Sequence, residues 1–333
     1  MPAPRDPASL MRAAHLYYVE GRSQADVATA MGTSRSNVSR MLAEAQRQGI
    51  VEIRIHDPSG RLRELEGKLA ASFGLSEVRV APRGTMSPAR IEDRVGALAA
   101  GLLLGALKEP STVALSWGRA LQAAVYAVSP DQDHDVTLVQ LLGGVSATSN
   151  EISGQELVRE LAVRLGASYQ LLHAPAALES SDACRSLLAE SSVAAALDRA
   201  RASDLAVVGV GDPHVGSSAA VLSAMALSAR EQAEFWAQEP VGDLAGRYYT
   251  ADGTPVEGVV NDRVVSVTLA DLDRIPQVVG VATGRAKTNA VLGALRGHHL
   301  DALVCDESLA RSLLSHPPVA PTSPVPTKQG DSQ

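Results

Sequence analysis

The chain has 333 residues, enough for one domain of about 50 residues and a second of about 250. Hydrophobic residues make up 45% and aromatic residues 3%, which predicts a sizeable core of aliphatic side chains. Two distant cysteines, Cys184 and Cys305, argue against a disulfide framework or a thiolate metal cluster. The apolar stretch Val95–Leu107 is too short and too interrupted by glycine to span a membrane. We therefore expect a cytoplasmic protein without a metal or cofactor.

The formal net charge of −7 is distributed unevenly along the chain. Residues 1–56 carry seven basic and five acidic side chains, a net charge of +2, whereas the remainder has a net charge of −9. Nucleic-acid affinity depends on a local basic face, so the acidic bulk does not exclude DNA binding by the N-terminal region. It does argue against general polyanion binding by the larger part.

The segment 24–42, Q-A-D-V-A-T-A-M-G-T-S-R-S-N-V-S-R-M-L, predicts two short helices joined by a turn at Gly32. Val38, Met41 and Leu42 form the apolar stripe of the second helix. Its start and outer face carry polar side chains suited to phosphate and base-edge contacts: Ser34, Arg35, Ser36, Asn37, Ser39 and Arg40. These six residues are the predicted DNA-binding set of a helix-turn-helix.

An ordinary helical hairpin with a polar outer face would show the same pattern. Two neighbouring features favour a DNA-binding domain. An amphipathic helix precedes the segment, and a short alternating strand, Ile50–Ile55, follows it. The sequence therefore predicts a small helix-turn-helix domain over residues 1–57 that binds operator DNA.

A connector helix is predicted within residues 58–76. In Arg61–Phe73, the side chains of Leu62, Leu65 and Leu69 fall on one helical stripe. This stripe could dock onto the following domain, or it could mediate self-association beside the DNA-binding domains. The sequence leaves both alternatives open.

Strands alternate with helices from Glu77 onward, which predicts a mostly parallel sheet with helices on both faces. The predicted strands are Val78–Val80, Thr112–Ser116, Val136–Leu142, Tyr169–Leu172, Leu205–Val210, Val264–Val267, Gln277–Ala282 and Ala302–Cys305. The predicted helices are Ile91–Leu107, Trp117–Val128, Glu156–Leu165, one or two within Cys184–Ala202, and Ala286–Arg296. This α/β domain is expected to cover residues 77–315, followed by a disordered tail, 316–333, rich in Pro, Ser and Thr.

Four glycine-containing loops lie at predicted strand ends, where parallel sheets bind ligands. They comprise residues 116–119, 143–150, 209–212 and 283–287. Backbone N–H groups at the following helix starts suit a phosphate, and Lys287 adds a positive charge. Each loop alone is weak evidence for a site, but together they predict a small anionic ligand.

The chain resembles the SorC family of sugar-binding transcriptional regulators over nearly its whole length. The resemblance lies in the N-terminal helix-turn-helix and in blocks that occur in matching order: S-W-G-R-A-L, Q-L-L-G-G-V, D-L-A-V-V-G-V-G, G-D-L-A-G-R-Y-Y, L-A-D-L-D-R-I-P-Q-V-V-G-V-A and K-T-N-A-V-L-G-A-L-R-G. It implies an effector domain related to sugar-phosphate isomerases and CoA transferases. It also implies a homo-oligomer, usually a tetramer, whose DNA affinity changes when a phosphorylated sugar or polyol binds.

The resemblance also implies an effector cleft formed by the loop at Gly143 and Gly144, the Asp243 region and Lys287. In the family, the residue matching Asp243 contacts sugar hydroxyls and the residue matching Lys287 contacts phosphate. The predicted effector-binding set is Ser116, Gly118, Arg119, Gly143, Gly144, Val145, Ser146, Asn150, Asp243 and Lys287.

The sequence departs from the family pattern in places. Arg285 replaces a commonly small residue, and the loop after Gly144 is of the variable kind that selects the ligand. Leu141 and Leu142 leave no lysine at that strand end to form a Schiff base with an aldehyde effector. The identity of the sugar is therefore open, although its class is not.

The competing hypothesis is a sugar-phosphate isomerase or hydrolase with an accessory DNA-binding domain. It needs a general base and a proton shuttle in the cleft. The candidates are Asp243, Asp306, Glu307, His173 and His214. No local relay such as Asp-x-x-His accompanies them, so we expect no catalytic site.

A third hypothesis is a DNA-binding scaffold whose large domain has lost its ligand. The charged residues Asp243, Arg247 and Lys287 at predicted loop ends argue against it, because an empty site need not retain them.

Overall fold

The computed structural model describes residues 6–51, 61–130, 133–144 and 153–316. The chain divides into two compact units, residues 1–58 and 59–333. Most of the predicted strand Ile50–Ile55, and the predicted tail after His316, lie outside the described residues. None of the described helices combines the length and the apolar character that a membrane crossing needs.

The described part of the first unit is helical, as predicted. Its helices are α1 (Pro7–Ala14), which continues as a π-helical turn over His15–Val19, α2 (Gln24–Ala30) and α3 (Arg35–Arg47). The side chains of Asp6, Ser23 and Ser34 accept hydrogen bonds from the first-turn N–H groups and so begin the three helices. Their inward faces share one aliphatic core: Leu10, Ala13, Ala14, Leu16, Val27, Ala28, Val38, Met41, Leu42 and Ala45.

Helix α4 (Arg63–Phe73) opens the described part of the second unit and belongs to its core. Leu69 is fully buried, and Leu62 and Leu65 are partly buried against the same core cluster. The stripe therefore docks onto the α/β unit. Leu69 cannot be a contact between copies, because its side chain has no exposed surface to offer.

The second unit is built on a twisted sheet whose main strands are parallel. The strands are β1 (Glu77–Ala81), β2 (Ser111–Leu115), β3 (Val136–Gln140), β4 (Ser168–Gln170), β5 (Leu205–Gly211), β6 (Gly242–Leu244), β7 (Arg247–Tyr249), β8 (Gln277–Ala282) and β9 (Ala302–Asp306). The order is β1-β9-β8-β5-β2-β3-β4, with all neighbours parallel. The central strands are continuous apolar runs because helices cover both of their faces.

Helices pack on the two faces of this sheet and create two core clusters. The remaining described helices are α5 (Pro88–Ala106), α6 (Arg119–Ala127), α7 (Gly154–Leu165), α8 (Ser181–Ala189), α9 (Ser191–Arg201), α10 (Gly216–Ser223), α11 (Ala229–Trp236), α12 (Val259–Asp262), α13 (Leu269–Leu272), α14 (Thr288–Arg296) and α15 (Glu307–Leu314). One cluster contains residues of α5, α6 and α7. The other contains residues of α4, α8, α9, α14 and α15. This is the predicted α/β architecture.

Two parts of the predicted topology need correction. Val264–Val267 is not a strand, because Val264 and Ser266 make only isolated bridges, to Ala177 and Leu142. Instead, the Arg247 guanidinium binds this segment by donating to the carbonyl oxygens of Val264, Ser266 and Val267. The sequence reading also missed the hairpin of β6 and β7, which pairs antiparallel with β5.

His299 links two loops through hydrogen bonds that favour the charged form of its ring. Its ring is buried, with Nδ1 2.7 Å from an Asp273 carboxylate oxygen and Nε2 2.8 Å from the Gly253 carbonyl oxygen. Both partners are acceptors, so this geometry favours a proton on both ring nitrogens. Burial opposes the charged form, but the hydrogen bonds to Asp273 and Gly253 outweigh it and raise the pKa of His299.

We expect His299→Gln to destabilise the fold in a pH-dependent way. A hydrogen-bonded charged group contributes about 1.5–3 kcal/mol. Because the folded pKa is raised, this contribution is complete below the unfolded value of about 6.5. It disappears as the pH rises through the folded pKa. Urea unfolding across this range checks the expectation, with the exposed neighbour variant His298→Gln as control. An equal stability difference at every pH would show that the ring is neutral.

Candidate ligand-binding and DNA-binding sites

The start of α3 presents the predicted DNA-binding residues. Ser34, Arg35, Ser36, Ser39 and Arg40 are exposed, and Asn37 is half-buried. Opposite them, Val38, Met41 and Leu42 are buried in the core of the unit.

Two hydrogen bonds order this end of the helix. The backbone N–H of Asn37 donates to the Ser34 hydroxyl at 3.2 Å, and the side-chain amide of Asn37 donates to the Thr33 hydroxyl at 2.8 Å. A polar helix start ordered in this way, with its opposite face packed, has the form of a recognition helix.

A cavity of about 300 Å³ lies at the carboxyl ends of β2, β5 and β8. The chain leaves β2 toward β3 and leaves β5 toward β8, so the connections after these neighbouring strands diverge and open a crevice. Its polar and glycine lining is Glu92, Ser116, Gly118, Arg119, Gly209, Gly211, Gly216, Ser217, Ser218, Thr283, Asp243, Gly246 and Lys287.

Asp243 forms the buried end of the cavity because the β6 strand places it beside the end of β5. Its register partner there is Gly211. The carboxylate accepts hydrogen bonds from the Ser218 hydroxyl and from the Gly246 N–H, the latter at 2.9 Å. Burial raises the pKa of Asp243, although these hydrogen bonds and the charge of Lys287 act against the rise. The carboxylate is therefore oriented and retains acceptor capacity toward the cavity.

Lys287 supplies a positive charge to the same cavity. It ends a 3-10 turn, Arg285–Lys287, directly before α14. Burial lowers the pKa of Lys287, and the carboxylates of Asp243 and Asp212 partly offset this. Among the described residues, its ammonium group has no hydrogen bond or ion pair, so it is able to bind an anionic group of a ligand.

The helix starts around the cavity are not capped by side chains. Gly118 begins α6 and Val215 begins α10, and neither supplies a side-chain cap. Gly284 begins the turn before α14, also without a cap of its own, although its N–H donates to the Asp306 carboxylate. Serine caps begin several other helices, such as α3 and α5. Uncapped helix starts direct backbone N–H groups and the positive end of the helix dipole at the cavity, which favours an anion there.

The predicted effector-binding residues separate into three groups. Ser116, Gly118, Arg119, Asp243 and Lys287 line the cavity together. Val145, Ser146 and Asn150 lie outside the described residues. Gly143 and Gly144 are described but do not belong to the lining.

Local packing explains the two glycines. Their N–H groups donate to the carbonyl oxygens of Val265 and Ala174, each at 2.9 Å. A Cβ on Gly143 would collide with the backbone of Pro175. The N–H groups of both glycines are therefore used in hydrogen bonds to neighbouring backbone segments and are not directed at the cavity.

Other charged residues singled out in the sequence have different positions. Arg247 is a structural clamp on the segment 264–267, so it does not support a ligand site. Of the five candidate acids and bases, only Asp243 lines the described cavity. His214 stacks on Trp236 with 4.7 Å between ring centroids, and His173 is exposed.

The sequence reading did not assign several lining residues to the site. Gly209 and Gly211 were recognised as a strand-end loop, but Ser217 and Ser218, which follow directly at the start of α10, were overlooked. The signal was present, since small residues at a helix start after a strand leave backbone N–H groups accessible to an anion.

We expect Gly211→Ala to damage the cavity specifically. A Cβ on Gly211 would collide with the Asp243 carboxylate and the Ser218 hydroxyl. Overpacking of this kind costs about 1–3 kcal/mol, and relief requires the carboxylate to move. Thermal unfolding should show a loss of stability and of any ligand-induced shift. Gly67→Ala is the control, because a Cβ there meets nothing within 4 Å. Equal behaviour of the two variants would contradict the assigned role of Gly211.

Comparisons with known proteins agree with this two-part organisation. The family model of the sugar-binding domain matches residues 57–315, and the MarR family model matches residues 12–62. The transcriptional regulator LsrR of Klebsiella pneumoniae is 32% identical over 306 residues, which cover 91% of this chain and 92% of LsrR. The deoxyribonucleoside regulator of Bacillus subtilis is 28% identical over 305 residues, covering 92% and 96%.

The full-length sorbitol operon regulator SorC from Klebsiella pneumoniae has a similar structure. Its TM-score is 0.70 with 28% sequence identity, and the match covers 92% of this chain and 98% of SorC. The match spans both the helical unit and the α/β unit. With its helix-turn-helix and its sugar-binding domain, the chain belongs to the SorC family of transcriptional regulators.

Proposed function

We propose that the protein regulates a carbohydrate or polyol catabolic operon and that a phosphorylated sugar or polyol in the α/β cavity changes its operator affinity. The observation that carries this proposal is that Asp243 and Lys287 line the same cavity. A hydrogen-bonded carboxylate suits sugar hydroxyls, whereas a lysine beside uncapped helix starts suits a phosphate.

The charged residues of the cavity lining give the ligand a direction. The phosphate belongs near Lys287, because this lysine is cationic and has no ion pair among the described residues, whereas the Arg119 guanidinium lies 3.7 Å from the Glu92 carboxylate. The hydroxyls belong at Asp243, because that carboxylate would repel a phosphate. The relatives' names, which include a sorbitol operon regulator and a deoxyribonucleoside regulator, support a small polyhydroxylated effector.

We propose that the cavity binds its ligand without catalysing its chemical conversion. Isomerisation needs a base and a second proton carrier in the cavity. Asp243 is held by Ser218 and Gly246, and the other candidates named from the sequence do not line the described cavity. Glu92 also lines the cavity, but its carboxylate lies 3.7 Å from the Arg119 guanidinium.

A thermal-shift panel of sugar phosphates, polyol phosphates and the corresponding free sugars tests the proposal. We expect a phosphorylated member to raise the melting temperature and to change the affinity for operator DNA. The same compound should be recovered unchanged after incubation with the protein. If no member of the panel shifts either quantity, the sensor hypothesis fails, and chemical conversion of the ligand would support the enzyme alternative.

We also propose that the protein binds DNA as a symmetric homo-oligomer, a tetramer by analogy with its family. A DNA-binding domain of three helices buries little surface against DNA by itself. Two linked copies on adjacent half-sites gain affinity because binding of the first raises the effective concentration of the second. Contacts between copies must come from surfaces other than the docked face of α4. Analytical ultracentrifugation that shows a monomer with full operator affinity would contradict the proposal.

A further inference from the structure

The turn that carries Lys287 is attached to the last helix, α15, through a buried carboxylate. Asp306 is fully buried at the end of β9. One of its oxygens accepts the Gly284 N–H at 2.5 Å, and the other accepts the Ser308 N–H at 3.0 Å. Asp306 therefore caps α15 and holds the start of the Lys287 turn at the same time.

A second attachment lies one helical turn further along. The hydroxyls of Thr288 and Ser312 are hydrogen-bonded at 2.9 Å, and both residues are buried. Thr288 also lies within hydrogen-bond distance of the Arg285 carbonyl oxygen, at 2.6 Å. Because the turn is fixed to α15 at both of its ends, a displacement or stiffening of the turn must involve the helix.

A neighbouring face of α15 packs on the connector helix α4. Leu309 and Leu313 of α15 and Leu69 of α4 are fully buried in the same core cluster. The start of α4 is fixed as well. Arg61 donates to both carboxylate oxygens of Glu66, and Glu66 accepts the Val80 N–H at 2.8 Å.

The connector helix is the link to the rest of the protein. In sequence, Arg61 directly follows residues 52–60, which join the α/β unit to the helix-turn-helix unit. The contacts of α15 thus form a continuous path from the cavity wall to the segment that leads to the DNA-binding unit.

We propose that Asp306 and Ser312 are positioning residues that transmit ligand occupancy from the Lys287 turn through α15 to α4. This proposal rests on the proposed function, because it assumes that a phosphate binds at Lys287. Coupling between two sites requires an element whose state both sites bias. Helix α15 qualifies because it is bonded to the turn and packed on the connector.

Hydrogen exchange of the full chain, with and without inorganic phosphate, tests the proposal. In the wild type, we expect phosphate to protect amides of residues 283–288 and also those of Arg63–Phe73. In Ser312→Ala, protection of 283–288 should persist, whereas the phosphate-induced protection of Arg63–Phe73 should fall by about threefold or more. Ser203→Ala, which removes another buried serine hydroxyl, is the matched control and should behave as the wild type.

Thr288→Val removes the same hydrogen bond by replacing its other partner. It is the control for a folding defect that is specific to Ser312→Ala. Thr288→Val also removes the hydrogen bond to the Arg285 carbonyl oxygen. Both variants should lose the phosphate-induced protection of the connector, and the double variant should lose no more of it than Thr288→Val. Protection of 283–288 without protection of the connector in the wild type would overturn the transmission role. Equal connector protection in the wild type and Ser312→Ala would do the same. Failure of phosphate to protect 283–288 at all would instead overturn the phosphate site.

Discussion

Replacing Lys287 by alanine is expected to remove the response to a phosphorylated ligand at concentrations that suffice for the wild type and to leave ligand-free operator binding intact. A hydrogen bond to a charged group contributes about 1.5–3 kcal/mol, so affinity for the ligand should fall roughly 10- to 100-fold. Operator binding should survive, because the helix-turn-helix belongs to a separate unit. Calorimetric titration of the ligand and anisotropy titration of the operator measure the two effects independently.

Two further variants make this test specific to a cation at the Lys287 position. Lys287→Arg keeps the positive charge and should retain part of the ligand affinity. Lys108→Ala makes the same charge change at an exposed site that is not part of the cavity lining, and it should have no effect. If Lys287→Ala responds at the same ligand concentration as the wild type, the phosphate is not bound by this lysine.

Truncating the exposed side chains at the start of α3 is expected to weaken operator binding strongly. Arg35→Ala, Asn37→Ala and Arg40→Ala should each cost about 1–3 kcal/mol if the side chain contacts a base edge, with relaxed preference at one base pair. An arginine that contacts phosphate should instead weaken all sequences alike and reduce the salt dependence. Binding to the operator and to scrambled DNA at several salt concentrations separates these cases.

The far end of the same helix supplies the control. Arg47 is exposed and paired with Glu44, distant from the helix start. Arg47→Ala should therefore change operator affinity by much less than the three variants. Unchanged operator affinity in all three would show that this helix does not lie in the major groove.

Much of the fold could be predicted because its elements are long and strongly patterned. Helix α5 and strand β5 have continuous apolar faces that only one kind of structure can bury. The hairpin of β6 and β7 could not be predicted in the same way, because each strand has three residues and pairs through tertiary contacts with β5. The apolar run Val264–Val267 has the composition of a strand, but the carbonyl groups of Val264, Ser266 and Val267 bind the Arg247 guanidinium. It therefore forms no continuous ladder with a neighbouring strand.

The lining of the candidate site could be predicted where it follows from topology. Ser116 and Lys287 each follow a parallel strand, and such strand ends converge at one edge of the sheet. Gly143 also follows a strand, but its sequence does not reveal that its amide bonds to Val265 instead of facing the cavity. Asp243 was placed by family resemblance, because its position at the cavity depends on the hairpin that periodicity did not detect.

The central claim is that occupancy of the α/β cavity changes DNA binding by the helix-turn-helix. The direct test is an anisotropy titration of the full-length protein against a duplex that it selects from a random DNA pool. The titration is run with and without the sugar phosphate that raises its melting temperature. We expect the midpoint of the DNA titration to shift by about 5- to 150-fold, the range typical of coupling between two sites. The melting shift shows when the cavity is saturated with ligand. An unchanged midpoint of the DNA titration at that ligand concentration would contradict coupling between the cavity and the helix-turn-helix.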